Sequence, residues 1–414
     1  MNSFLPLIRS EWRLLSFGFA MTFASSFGQT YFIALFSGEI RSDLDLSHGD
    51  FGALYSAATL ASALILLKTG SLIDRMDLRR FAYLVIFGLA LGGLLLASAT
   101  SLVALFLAIL LLRQCGQGLM GMAGSTAMVR YLPEQKGKAN AITGIGYSAS
   151  EAILPTLVVA LMAWVGWRES WLVWSVLLVA VLPLGVHRLL RGHDTRHQDY
   201  LSSIDTSAED PLSALPRQRQ WTRDEMLRDP GFYLFMPALL AQPMLFTGFM
   251  FHQIHLVEAK GWSLAIWGSL YTVYALTSSV MKLFAGVLVD RFGAIRLVPF
   301  VCLPMGLGLV VLASADGLWV AVIFMILLGI TVGSYATLSS PFFAEKYGTL
   351  HLGAIKSVTT AAMVFSSAIA PVLMGWLIDA SVSIEAQALG GTAYTLLAAT
   401  LAWLGWRRSR QQES

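Results

Sequence analysis

Gly70-Ser71-Leu72-Ile73-Asp74-Arg75 and Gly286-Val287-Leu288-Val289-Asp290-Arg291 are one pattern written twice, 216 residues apart. Each closes an apolar run long enough to cross a bilayer. The same offset pairs Ser47 with Ser263, Gly52 with Gly268, Leu54 with Leu270 and Tyr55 with Tyr271. Further on it pairs Gly137 with Gly353 and Pro155 with Pro371. One register held without a gap over such a length makes the chain two copies of one unit. Six apolar runs separate equivalent points, so both copies run in the same direction. Parallel copies of this kind are related by an axis along the membrane normal.

The composition agrees. Of 414 residues, 56% are hydrophobic and 13% charged, whereas soluble domains are about 25% charged. A membrane-crossing helix needs about 20 mostly apolar residues. The runs predict twelve: 12–36, 51–69, 81–99, 102–129, 139–165, 169–187, 232–257, 264–285, 297–315, 317–343, 354–378 and 388–406. The fold class expected is therefore an all-α integral membrane protein, with twelve transmembrane helices in two six-helix bundles related by a pseudo-twofold. Residues 1–190 form the first bundle, 191–230 a cytoplasmic linker and 231–414 the second. The linker is rich in charge and holds Pro211 and Pro216.

Basic residues set the orientation. Placing both termini and the linker on one side puts 22 Lys and Arg there, against Arg41, Arg168 and Lys260 on the other. The positive-inside rule makes the basic side cytoplasmic. The N-terminus has no cleavable signal pattern. Cys115 and Cys302 both lie in apolar runs, which argues against a disulfide framework. The expected location is the cell membrane, as a multi-pass protein of the inner membrane, with N- and C-termini cytoplasmic.

With these motifs in hand, the chain resembles the major facilitator superfamily over essentially its whole length. That family's loop after the second span reads Gly-x-Leu-x-Asp-Arg-x-Gly-Arg-Arg/Lys. Here Asp77 and Leu78 stand where the second glycine and the next base are usual, before Arg79 and Arg80. The second copy keeps Gly293 but has Ala294 and Ile295 in place of bases. Arg113-Gln-Cys-Gly116-Gln117-Gly118 resembles the family's fourth-span motif. Gly144, Gly146 and Pro155 resemble its antiporter run, which Glu151 and Leu154 interrupt. The resemblance implies a secondary transporter working by alternating access. It also implies a gating role for Gly70, Asp74, Arg75, Arg130, Asp290, Arg291 and Lys346. A carboxylate at a helix C-terminus opposes the helix dipole and needs a cation. Arg130 and its repeat partner Lys346 are the cations expected near Asp74 and Asp290; solvated helix-end charges are the plainer alternative.

Charges inside the membrane are the sharpest functional signal. Arg113 falls near the middle of the fourth span and Glu151 near the middle of the fifth. Each costs about 2.5–3.5 kcal/mol at the bilayer centre on insertion scales. Arg113 is expected to attract an anionic, monocarboxylate-like substrate, and Glu151 to serve proton coupling. A permanent ion pair between two helices is the structural alternative. Gln29, Gln117 and Tyr274 are further candidates to bind substrate, or to bond neighbouring helices. His252, His255 and Glu258 share one stripe that reads as an interfacial face, and no metal is expected there. Lys68 and Lys282 lie near span ends, where they can snorkel.

No ATP-binding loop or hydrolase motif occurs, so an enzyme is not expected. An exporter of amphipathic drugs or metabolites is the competing reading, and a non-transporting membrane sensor a further one. The partners expected are a small-molecule substrate, protons and the lipid bilayer. No nucleic acid and no cofactor are expected, and the working form is expected to be a monomer.

Overall fold

Eleven helices among the described residues are long and apolar enough to cross a membrane. The computed structural model describes residues 4–70, 72–132, 135–193, 195–198, 220–348 and 351–413. The central part of the expected linker, 199–219, lies outside the described residues, as do the side chains of Asp74 and Arg75.

The helices are α1 Phe4–Ala24, α2 Thr30–Ala34, α3 Ser37–Leu44, α4 His48–Thr69, α5 Leu72–Arg75 and α6 Leu78–Ala97. They continue as α7 Leu102–Tyr131, α8 Lys136–Val165 and α9 Trp167–Leu189. Next come α10 Arg223–Arg228, α11 Pro230–Phe251, α12 Gln253–Ala259, α13 Leu264–Phe292 and α14 Ala294–Leu297. The last are α15 Leu303–Ser314, α16 Leu318–Tyr347, α17 Leu352–Asp379 and α18 Ile384–Glu413. In hydrocarbon every backbone polar group must be satisfied within the segment, so long apolar runs become helices.

Local signals place their ends. The Asp77 carboxylate accepts from the Arg79 and Arg80 amides and caps α6. The residue that replaces the family's glycine thus starts the third span. Ser101 caps α7 and Thr222 closes a capping box on α10. Gly166 between α8 and α9 has φ of 90°, a conformation glycine adopts without steric cost.

The first apolar run departs from the single helix expected over 12–36. α1 kinks at Glu11, continues to Ala24, then tightens to a 3₁₀ turn over Ser25–Gly28 before an extended Gln29. Arg9, Glu11 and Arg13 keep α1 out of the eleven apolar helices. The break has a packing cause. Gly28 lies against Gly116 so closely that a Cβ on Gly116 would fall 2.6 Å from the Gly28 Cα. Facing glycines let two backbones approach this way. At the same level α7 itself loosens into a π-helical stretch, Leu112–Met120, a distortion common at functional sites.

The chain falls into two compact units: residues 1–36 with 57–216, and 37–56 with 217–414. In the first, α1 packs on α8 and α7, and α6 packs on α9 and α7. In the second, α11 packs on α17 and α16, and α15 packs on α18 and α16. These are the same pairings at the 216-residue offset. Residues 37–56 belong with the second unit: the His48 and Gly49 amides donate to Asp379, and Phe51 stacks on Phe251.

Candidate functional site

The polar centre of the first unit is built on the break after α1. Arg113, on the π-helical stretch of α7, is 4% exposed. Its Nη1 donates to the Gly28 carbonyl at 3.2 Å and to the Thr30 hydroxyl at 3.2 Å. The guanidinium therefore spans the extended residue Gln29 and holds both edges of the break. Gln29 Nε2 donates to Ser25 Oγ at 3.2 Å, within the same turn.

Glu151, on α8, reaches the break from another side. It is half-buried, and its carboxylate acts electrostatically on the Tyr31 and Tyr147 hydroxyls. Ser150, its neighbour, is hydrogen-bonded to Ser26 in the 3₁₀ turn. The two intramembrane charges thus converge on one segment, Ser25–Tyr31. Gln117 is exposed on α7.

Gln114 was not singled out from the sequence, yet it is buried and bridges two helices. Ser62 donates to its Oε1 at 3.1 Å, and its Nε2 donates to Thr69 at 2.7 Å. The available signal is its place beside Arg113 in a run that is apolar on either side.

In the second unit Tyr274 is buried on α13, with Phe246 at 6.0 Å and Tyr271 at 6.1 Å between ring centroids. The polar centre there is Gln253, fully buried just after the break at His252. Trp267 Nε1 and the Tyr271 hydroxyl both donate to its Oε1, at 2.9 and 2.8 Å. His252 bonds the Pro371 carbonyl at 2.8 Å. Among the described residues no group of three side chains could hold a metal ion.

The helix-end cations have definite partners. Arg130 is buried and donates to the carbonyl of Ile73, one residue before Asp74. Gly70 closes α4 through its amide to Leu66, and a Cβ there would press on the Leu66 carbonyl. The second copy differs from expectation. Lys346 does not pair with Asp290; its Nζ lies 3.5 Å from Asp229 and donates to Ser409 at 3.3 Å. Asp229 also caps α11 and accepts from Tyr347, so it offers a preorganised, half-enclosed carboxylate. Asp290 and Arg291 are exposed, and Arg291 lies over the Phe292 ring. The loop is instead fastened by Glu345, which accepts from the Ala294 amide just beyond Gly293.

Comparison with known proteins agrees with this architecture. The family model of the major facilitator superfamily matches residues 18–266 and 244–414. The crystal structure of the nucleoside transporter NupG is similar at a TM-score of 0.72 and 13% identity, over 95% of this chain and 98% of that one. A bacterial homolog of the human lysosomal transporter Spinster, solved inward-facing and unoccupied, is similar at 0.65 and 13%, over 95% and 96%. At such identities the likeness is one of fold. No curated protein matches the chain. The chain belongs to the major facilitator superfamily: it is a multi-pass membrane protein and a secondary transporter of a small solute, not an enzyme.

Proposed function

We propose that the protein carries a small organic anion, monocarboxylate-like, across the cytoplasmic membrane by proton-coupled alternating access. One observation carries this reading: Arg113 and Glu151 meet the same broken segment of the first unit. An arriving carboxylate competes with the Gly28 carbonyl and the Thr30 hydroxyl for the guanidinium. Arginine suits that exchange, because its planar fork matches a carboxylate. Binding then releases the edges of the Ser25–Thr30 turn. Protonation of Glu151 is felt one residue away, at Tyr31. Substrate charge and proton thus act on one hinge, with Gln29, Gln117 and Tyr274 as further substrate contacts.

In this reading residues 14–36 form the twelfth crossing, a discontinuous one. The two units are pseudo-twofold copies, both termini are cytoplasmic, and the protein works as a monomer. Gly70, Asp74, Arg75 and Arg130, with Asp290, Arg291 and Lys346, govern closure on the cytoplasmic side.

The test is uptake of labelled carboxylates into proteoliposomes with and without an imposed pH gradient. Arg113→Lys is expected to reduce uptake about 10- to 100-fold, since it removes a hydrogen bond to a charged group worth about 1.5–3 kcal/mol. Glu151→Gln is expected to abolish the response to the gradient while exchange persists. Normal uptake in folded variants of both overturns the reading. The aromatic set Phe246, Tyr271 and Tyr274 favours amphipathic drugs as the second substrate class, and stabilisation by those compounds rather than by carboxylates in a thermal-shift screen selects it.

A further inference from the structure

A cleft of about 350 Å³ opens in the first unit where α1 begins and α9 ends. That is within the range of small-ligand sites, about 300–1,000 Å³. Its charged lining is Arg13, Arg191, Arg196, His193 and Glu11. Glu11 is already engaged by Arg196 at 2.8 Å, so the net lining is basic. His193 is 5% exposed, and its Nε2 has no hydrogen-bond partner. Burial, opposed by Asp77 and reinforced by His197, Arg196 and Arg79, holds its pKa at about 4. The ring is therefore neutral at pH 7, with one nitrogen able to donate.

The duplicated register explains why this place wants an anion. In the second unit Asp229, Lys346, Tyr347 and Ser409 form one closed cluster. Subtracting the offset gives Arg13, Arg130, Tyr131 and His193 in the first unit. Tyr131 packs on the last of these, 4.5 Å from the His193 ring. The internal carboxylate, however, is replaced by an arginine. Where the second unit sets Asp229 against its cluster, the first has Arg13, and the carboxylate in the cleft lining, Glu11, is taken up by Arg196.

The rim of the cleft suits a lipid. Leu5, Ile8 and Trp12 are exposed, the first two on one face of α1 before the kink at Glu11 and Trp12 immediately after it. Arg13 lies over the Trp12 ring. An exposed apolar stripe with a tryptophan and flanking arginines is the signature of a segment lying in the membrane interface. We propose that this cleft binds the phosphate of an anionic phospholipid, held by Arg13, Arg191 and His193, in the position that Asp229 fills in the second unit.

The test uses the purified full chain titrated with phosphatidylglycerol, phosphatidylcholine or inorganic phosphate, read by native mass spectrometry and by thermal shift. Phosphatidylglycerol is expected to occupy one saturable site and raise the melting temperature; phosphatidylcholine is not. Inorganic phosphate is expected to act far more weakly, because it lacks the chains. Arg13→Gln with Arg191→Gln is expected to weaken that site about 30-fold. Arg407→Gln with Arg408→Gln, which do not line the cleft, is expected to leave it unchanged. Equal binding of the two lipids, an effect of inorganic phosphate as large as that of phosphatidylglycerol, or full binding by the Arg13/Arg191 variant overturns the proposal. Should that variant not fold, His193→Phe, which removes a donor without removing charge, carries the same test. The wild-type lipid comparison stands without any variant.

Discussion

α7 and α16 occupy the same place in the two copies, yet their interiors are opposite. At the level of the break α7 carries Arg113, in a π-helical stretch whose guanidinium holds Gly28 and Thr30. The equivalent residue of α16 is Gly329, in an unbroken helix of 30 residues. A Cβ on Gly329 would lie 2.8 Å from the Tyr274 carbonyl and 2.9 Å from the Thr277 Cβ. Glu151 likewise has Ser367 as its counterpart. One copy keeps its charges and opens its helices to hold them. The other closes two backbones until no side chain fits. Duplication preserved the pairings of α1, α6, α7, α8 and α9, but the close packing of α13 on α16 has no match of that extent between α4 and α7, and the polar interior diverged.

Transplanting the arginine should therefore fail. Gly329→Arg puts a charge and a side chain between α13 and α16, at a cost of about 3–5 kcal/mol. Loss of monodisperse protein is the expected result; a variant melting like the wild type would show that α13 and α16 can part to admit a side chain. The reverse change, Arg113→Gly, makes the first unit resemble the second. It removes charge-assisted bonds to both edges of the break and should cost about 2–3 kcal/mol, with transport lost. Melting temperature and uptake, measured together, separate the structural from the functional share.

The rims differ in a way that pH exposes. His193 stands where the second unit has Ser409. Its folded pKa of about 4 lies below the ordinary 6.5, so between those values the unfolded chain binds more protons. Stability then falls as pH drops through 6.5 toward 4. At pH 5 the loss should be about 1–2 kcal/mol, and His193→Asn should flatten the pH dependence of the melting temperature. The smallest effects are expected around Lys346. Asp229→Asn should destabilise by about 1–2 kcal/mol through the lost pair and the weakened cap. Asp290→Asn, exposed, should stay within about 0.5 kcal/mol.

The helices were legible in the amino-acid order; the pairings of charges were less so. The repeat offset pairs Arg130 with Lys346. It did not reveal that Lys346 turns to Asp229, because Asp229 lies in the polar stretch that reads as linker. Arg113 and Glu151 were visible as costly charges in apolar runs. Their meeting point was not, since the run 12–36 reads as a single helix and its break depends on Gly116. Gln114 and Gln253 went unremarked for the same reason: a buried amide announces itself only through what it bonds.

Apolar length and the place of arginine and lysine were enough, by themselves, to settle that this chain crosses a membrane many times as helices. Hydrocarbon leaves the backbone no other partner than itself, so that outcome is local. Which side chain answers which charge was decided only in three dimensions. Arg113 and Gly28 stand 85 residues apart, and nothing but the close approach of two glycine-lined backbones brings them together.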